Sequence, residues 1–159
     1  MPTLTTTYWY VKAEYLPALQ MAATSTEPTR MVDQTVWQIT GEKDGYFWGN
    51  CAVLMYEAGT TPVDPPNSFR MVGSLTPDGN VQITFMPINR IGAALGIQGW
   101  GRIVTENGED AFEMQMSSGS TSLSAHWALM FETKEDDASW TKLPGTNYSV
   151  PEFLQAAGF

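Results

Sequence analysis

Alternation of apolar and polar positions is clearest between Ser68 and Pro87. Phe69, Met71, Gly73 and Leu75 alternate with Ser68, Arg70, Val72 and Ser74, and Val81, Ile83 and Phe85 resume the pattern after Pro77-Asp78-Gly79. A period of two predicts strands with one buried and one wet face. Pro77 presets φ for a turn and Asp78-Gly79 tolerates positive φ, so this stretch reads as a β-hairpin.

The same reading extends along the chain. Thr5 to Tyr15 alternates as a strand, with Trp9, Val11, Ala13 and Tyr15 on one face. Leu16 to Gln34, with its polar TSTEPTR run, reads as a long connection holding one local turn. Thr35 to Gly41 is a short strand carrying Trp37 and Ile39, and Glu42 to Gly45 turns into Tyr46 to Glu57. This last strand is apolar on both faces, which predicts that the C-terminal tail or another subunit covers its outer side. Three prolines make Ala58 to Asn67 a loop.

Ile88 to Gly96 is a further long connection of small residues. Ile97 to Glu106 follows as a strand in which Gly99 and Gly101 flank Trp100, a place for a bend or a close backbone approach. Asn107-Gly108 is a strong hairpin signal leading into Asp110 to Ser117. Ser118 to Ser120 turns into Thr121 to Glu132, where Leu123, Trp127, Leu129 and Phe131 form one face and Ser122, Ser124 and His126 the other. Ser139 to Lys142 reads as a short terminal strand. Ser149 and Glu152 have capping-box spacing around Pro151, which predicts a helix over Val150 to Ala156 stopped by Gly158.

About eight strands in up-and-down order place successive connections at alternating ends. The connections near Glu42 to Gly45, Pro77 to Gly79 and Asn107 to Glu109 are tight; those at Leu16 to Gln34, Ala58 to Asn67 and Ile88 to Gly96 are long. The expected fold is therefore all-β: one domain over residues 1–159, an antiparallel up-and-down barrel of about eight strands with a short C-terminal helix, one end tight and the other open. Closure removes exposed sheet edges, and eight strands leave a lumen that side chains fill or that holds one small ligand.

The face expected to point inward carries Trp9, Tyr15, Trp37, Phe69, Met71, Phe85, Phe112, Met114, Met116, Leu123, Trp127 and Phe131. Such a stripe is ordinarily core, but Met beside flat rings also adapts to an apolar guest. Tyr15, Trp37, Tyr56, Phe69, Phe85, Met116 and Leu123 lie toward the open end, and Asn50 and Gln98 are the nearest polar residues expected to orient a carbonyl or hydroxyl.

Composition narrows the function classes. The 159 residues suit one domain; 43% are hydrophobic and only 16% charged, with 6 Trp, 6 Tyr, 7 Phe and 9 Met. A net charge of -9 disfavours nucleic acid and anionic membrane partners. Cys51 is the lone cysteine, and the start MPTLTTTYWYVKAEY has neither a basic nor an apolar leader region, so a cytoplasmic protein is expected. No apolar run approaches a membrane span.

One His and one Cys fall short of a metal site, and there is no nucleotide-binding glycine motif, so no cofactor is expected. His126 is expected to face outward, away from a ligand. Cys51 reads as a buried, unreactive thiol. What remains is shape with modest polarisation: the Tyr56 hydroxyl could stabilise developing charge, and Glu57, at a strand end beside a long loop, is the candidate acid or base. An exposed strand end is the ordinary reading of Glu57.

The meander, aromatic lumen and asymmetric loops together resemble the calycin group of small barrels, meaning lipocalins, fatty-acid-binding proteins and avidins, and the small barrel cyclases and isomerases of natural-product biosynthesis. The first strand has Tyr8-Trp9-Tyr10 where lipocalins carry Gly-x-Trp, so no functional residue is carried over. The resemblance implies a barrel enzyme that cyclises, isomerises or eliminates from an apolar polyene or polycyclic molecule without a cofactor. The alternative is a carrier of such a molecule. Tyr46 to Glu57 as an oligomer interface is compatible with both.

Overall fold

The computed structural model describes residues 4–88, 97–119 and 122–159. They form a closed antiparallel barrel of eight staves with two short helices near the C-terminus, consistent with the calycin-like architecture. The first stave is split into β1 (Thr7–Val11) and β2 (Pro17–Ala22); the others are β3 (Thr29–Lys43), β4 (Tyr46–Glu57), β5 (Asn67–Leu75), β6 (Asn80–Pro87), β7 (Ile97–Glu106), β8 (Glu109–Gly119) and β9 (Ser122–Thr133). Each stave pairs with the next, and β1 and β2 both pair with β3 on one side and β9 on the other, which closes the sheet.

The tight end is built as its turn chemistry dictates. Asp44-Gly45 and Asn107-Gly108 both have positive φ at each residue, the geometry that matches strand twist, while at Pro77 to Gly79 only Gly79 enters that region. Neighbouring hairpins are stitched together, Leu75 N–H donating to Gly45 O at 2.7 Å and Ile103 N–H to Gly79 O at 2.9 Å. Leu4, buried and held by its N–H on Glu42 Oε2 at 2.6 Å, plugs this end.

Four expectations are corrected. Thr5 to Tyr15 is not one strand: β1 ends at Val11, and Ala13–Tyr15 is a 3-10 turn where the stave breaks. Leu16 to Gln34 is mostly strand rather than connection, because β2 and the first part of β3 pair there in register, Leu19 opposite Arg30, and only residues 23–28 turn. Pro17 is tolerated as the first residue of its strand. Ser139 to Lys142 is not a strand but part of helix α1 (Ala138–Thr141). Finally, β9 has the opposite parity to that expected. Leu123 and Trp127 are exposed on the outside, Phe131 packs outside against the C-terminal segment, and His126, Ala128 and Met130 are buried. The error arose because Leu129 and Phe131 are apolar for a second core, not for the lumen.

That second core explains the two-sided apolar pattern of β4. Ala52 and Leu54 on its outer side pack with Val36 and with Leu143, Val150, Phe153 and Leu154 of the C-terminal segment. Helix α2 (Val150–Ala156) starts with the expected capping box: Glu152 N–H donates to Ser149 Oγ and Ser149 N–H to Glu152 Oε2. The Ser149 N–H and the Ser149 hydroxyl, which donates to Glu152 Oε2 at 2.7 Å, hold the exposed Glu152 carboxyl below its ordinary pKa. Tyr8 meets Trp140 of α1 edge to face at 4.9 Å. The expected connection over Ile88 to Gly96 lies, from 89 on, outside the described residues. No helix of the described residues is long and apolar enough to cross a membrane.

Candidate functional site: an aspartate–histidine pair at the open end

The site begins with a break in the first stave. After Val11 the chain leaves the ladder for a single 3-10 turn over Ala13–Tyr15 and resumes at Pro17. A break strands backbone groups that must find other partners. The outward-facing Gln34 accepts from Val11 N–H at 3.0 Å, and its amide nitrogen donates to Val11 O at 2.9 Å and Pro144 O at 3.0 Å. Asp33 N–H donates to Leu16 O at 2.9 Å, and His126 Nε2 lies 2.6 Å from Tyr15 O. Side chains from the two flanking staves thus replace the lost ladder bonds.

On the inner side of the same break, His126 Nδ1 lies 3.1 Å from Asp33 Oδ2, with both side chains more than nine-tenths buried. Thr35 Oγ1 donates to Asp33 Oδ1 at 3.0 Å. The Tyr15 carbonyl can only accept, so Nε2 carries a hydrogen. One further proton is then shared across the contact between Nδ1 and Oδ2. Burial pushes the His126 pKa down, but the hydrogen bond and charge of Asp33, with the Tyr15 carbonyl, push it up further, and the net shift is upward from 6.5. Asp33 thus favours the protonated form of His126. Cys51 shows the same field: burial first, then the negative charge of Asp33, raises its thiol well above the ordinary range and leaves it unreactive.

The pair lines a cavity of about 60 Å³ at the open end, bounded also by Thr35, Val53, Met55, Ile97, Met116 and Ser117, with Ser118 and Ser124 hydrogen-bonded to each other at its edge. A carboxylate has about four lone-pair sites, and His126 and Thr35 occupy one each, so Asp33 retains acceptor capacity. Four positions beyond Asp33 on the same face of β3, Trp37 is fully buried, and its Nε1–H has no hydrogen-bond partner among the described residues. The inner face of β3 therefore runs from an acceptor at Asp33, through the Thr35 hydroxyl, to a donor at Trp37. Among the described residues no group of three or more His, Cys, Asp or Glu side chains is placed to hold a metal ion.

The structure divides the residues expected at the site. Trp37, Phe69, Met71, Phe85 and Met114 are buried in the lumen, where Trp37 packs against Phe85 and Phe112 with ring centroids 6.1 Å and 5.4 Å apart. Met116 lines the cavity. Tyr15 lies beside the break and meets Trp127 edge to face at 5.5 Å. Asn50 sits outside, its amide donating to Gln38 Oε1 at 2.7 Å and its oxygen accepting from Arg70. Gln98, Leu123 and Trp127 are also exposed outside. The Tyr56 hydroxyl donates to Gly145 O at 2.6 Å and so serves the C-terminal cover rather than the lumen. Glu57 is an exposed strand end opposite Met31.

Asp33, Thr35 and His126 were the residues missed. The signal for the first two was present: carrying the alternation back from Ile39 and Trp37 reaches Thr35 and Asp33 on the lumen face. For His126 the signal was Ser124, His126, Ala128 and Met130 as a lumen face graded from polar at the mouth to apolar within. No family model, no curated protein and no solved structure matches this chain.

Proposed function

We propose that this barrel binds a small, largely apolar molecule at its open end and moves a proton on it without a cofactor, with Asp33 as the base and His126 as the residue that positions and charges it. The observation that carries this reading is the buried Asp33–His126 pair beside a cavity in an otherwise apolar lumen. Desolvating two charges costs several kcal/mol per ion, and pairing recovers that only when geometry and further hydrogen bonds are good. The ligand class follows from the cavity: at about 60 Å³ it admits one small polar group, a donor for Asp33, with the ligand's apolar body at the mouth against Met55, Ile97 and Met116. Since rings fill the lumen around Trp37 and Phe112, the chemistry moves from templating in the deep lumen to proton transfer at the mouth.

A carrier is the second reading, and it has its own observation. Both ring nitrogens of His126 are committed to protein partners, Asp33 and Tyr15. A purely structural pair would hold the broken stave together and leave the ligand unchanged.

The deciding experiment incubates the protein in D2O with a panel of terpenoid alcohols, polyene fatty acids and polycyclic phenols, detects binding by native mass spectrometry, and weighs the recovered ligand. Deuterium in a recovered carbon skeleton, lost in Asp33→Asn while binding stays within about threefold, is the expected result. Bound ligand recovered without deuterium assigns the carrier. Val53→Phe, which adds bulk to the cavity without touching the pair, should abolish binding in either case; binding unaffected by it would overturn the site itself.

A further inference from the structure

The outer wall of β7 to β9, with β2 beside it, carries a second cleft, which shares Met116, Ser117 and His126 with the first cavity. Along β9, His126 points in and Trp127 points out. Trp127 stands opposite Gln115, and Gln115 opposite Trp100, so the register sets two tryptophans on either side of one glutamine in a single row. Both indoles are half exposed, at 50% each. They border a cleft of about 500 Å³, within the roughly 300–1,000 Å³ of small-molecule sites. Staves two apart place their backbones about 10 Å from each other, wide enough for one ring to lie between or across the indoles.

Packing around the two indoles differs. Trp127 is buttressed by Tyr15 edge to face. Trp100 stands between Gly99 and Gly101, whose missing side chains leave the inner side to Met116 and Met114 and let β7 run against the Glu113 backbone.

The chemistry around them is uncharged. The row continues from Trp100 to Gln82, and the adjacent row carries Thr84, Gln98, Ser117 and Ala125, so two rows across four staves hold no ionisable side chain in a chain of net charge -9. Charge returns only one row on, at Arg102, which is spent on Glu113 at 2.7 Å. The side chains of Gln82, Gln98 and Gln115 make no hydrogen bond to the described residues, and each amide offers donors and an acceptor. Among the described residues of this face a phosphorylated partner finds no free cation. On the β2 side Pro17, Ala18 and Leu19 complete the cleft with apolar surface, while Gln115 separates the two indoles.

From these features we infer that this face binds neutral carbohydrate: indole faces meet the polarised C–H bonds of a sugar ring and the glutamines meet its hydroxyls. The test is affinity electrophoresis in native gels containing hydroxyethylcellulose, arabinoxylan or glucomannan, with fluorescence titration by the hexaose of whichever polymer retards the protein. At least one polymer should slow migration, Trp100→Ala and Trp127→Ala should each weaken binding tenfold or more, and Gln115→Ala should weaken it several-fold. All three positions are exposed, and unchanged melting temperatures confirm that folding is intact. Retardation by none of the polymers, or equal retardation of the two tryptophan variants and the wild type, overturns the inference. Loss of a dimer in sedimentation on Trp100→Ala also overturns it, assigning the face to a second copy of this chain.

Discussion

The two ends of this barrel are made by the same staves and solve opposite problems. At the tight end Phe47, Trp9 and Phe112 fill the section completely, with ring centroids 4.6 Å apart for Trp9 and Phe112 and 6.3 Å for Phe47 and Phe112, and Leu4 closes it. Gly73 carries no side chain where the Phe47 ring lies. At the open end the section is completed by Asp33, Thr35 and His126, and the first stave is broken there. One end is held by packing, which is indifferent to pH and tolerant of charge elsewhere. The other is held by a shared proton. A fold under no demand but stability would carry the cheaper solution at both ends, since a buried ion pair is often matched or bettered by well-packed apolar residues.

The largest effect should come from emptying the packed end. Phe112 touches Trp9, Trp37 and Phe47 and is fully buried, so Phe112→Ala should cost about 3–5 kcal/mol. Met55→Ala at the partly exposed mouth should cost under about 2 kcal/mol, below the range for fully buried methionines. Urea unfolding midpoints of the two variants test the contrast directly. Equal losses would mean that the open end is as tightly packed as the closed one.

Breaking the pair comes next. Asp33→Asn leaves His126 without its counter-charge and Thr35 without its carboxylate acceptor; the loss should fall near 3 kcal/mol, the lower edge of the range for broken buried pairs, because His126 can shed its proton. The double variant Asp33→Asn with His126→Gln should lose clearly less than the sum of the two single losses, since the second change removes a partner already orphaned. Additive losses would show that the two residues act separately, and the contrast between the ends would then rest on packing alone.

How much of this was legible in the sequence follows the same division. The tight end was readable because each turn has local chemistry, Asp44-Gly45, Gly79 and Asn107-Gly108, and the strands between them alternate cleanly. The capping box at Ser149 and Glu152 was legible for the same reason. The open end was not, because its strands carry polar residues on the inside. Asp33 and Gln34 are buried on opposite faces of β3, one satisfied by His126 and Thr35, the other by the backbone of Val11 and Pro144. A polar residue satisfied across more than 20 positions of sequence looks, locally, like a loop residue. Parity on β9 failed for a related reason: Leu129 and Phe131 answer to the C-terminal segment, and no pattern within the strand reveals that a cover arrives from residues 143–157.

The smallest effect is the most specific to the pair. Asp33 and the Tyr15 carbonyl hold the pKa of His126 above its ordinary 6.5. A raised folded-state pKa means that the native protein keeps a proton the unfolded chain releases. Its stabilisation is fully present below about pH 6.5 and is lost as pH rises through the folded value. The loss should be local at first. The Asp33 amide, bonded to Leu16 O beside the break, should gain hydrogen-exchange opening as pH rises above 6.5, after correction for intrinsic exchange rates. The Leu75 amide, bonded to Gly45 O at the stitched end, should not. His126→Gln should remove the difference in pH response, since an amide does not titrate. If the Asp33 and Leu75 amides open in parallel across the range, the barrel unfolds as one unit and the shared proton stabilises the whole of it; if only the Asp33 amide responds, the open end is a separate cooperative unit under proton control.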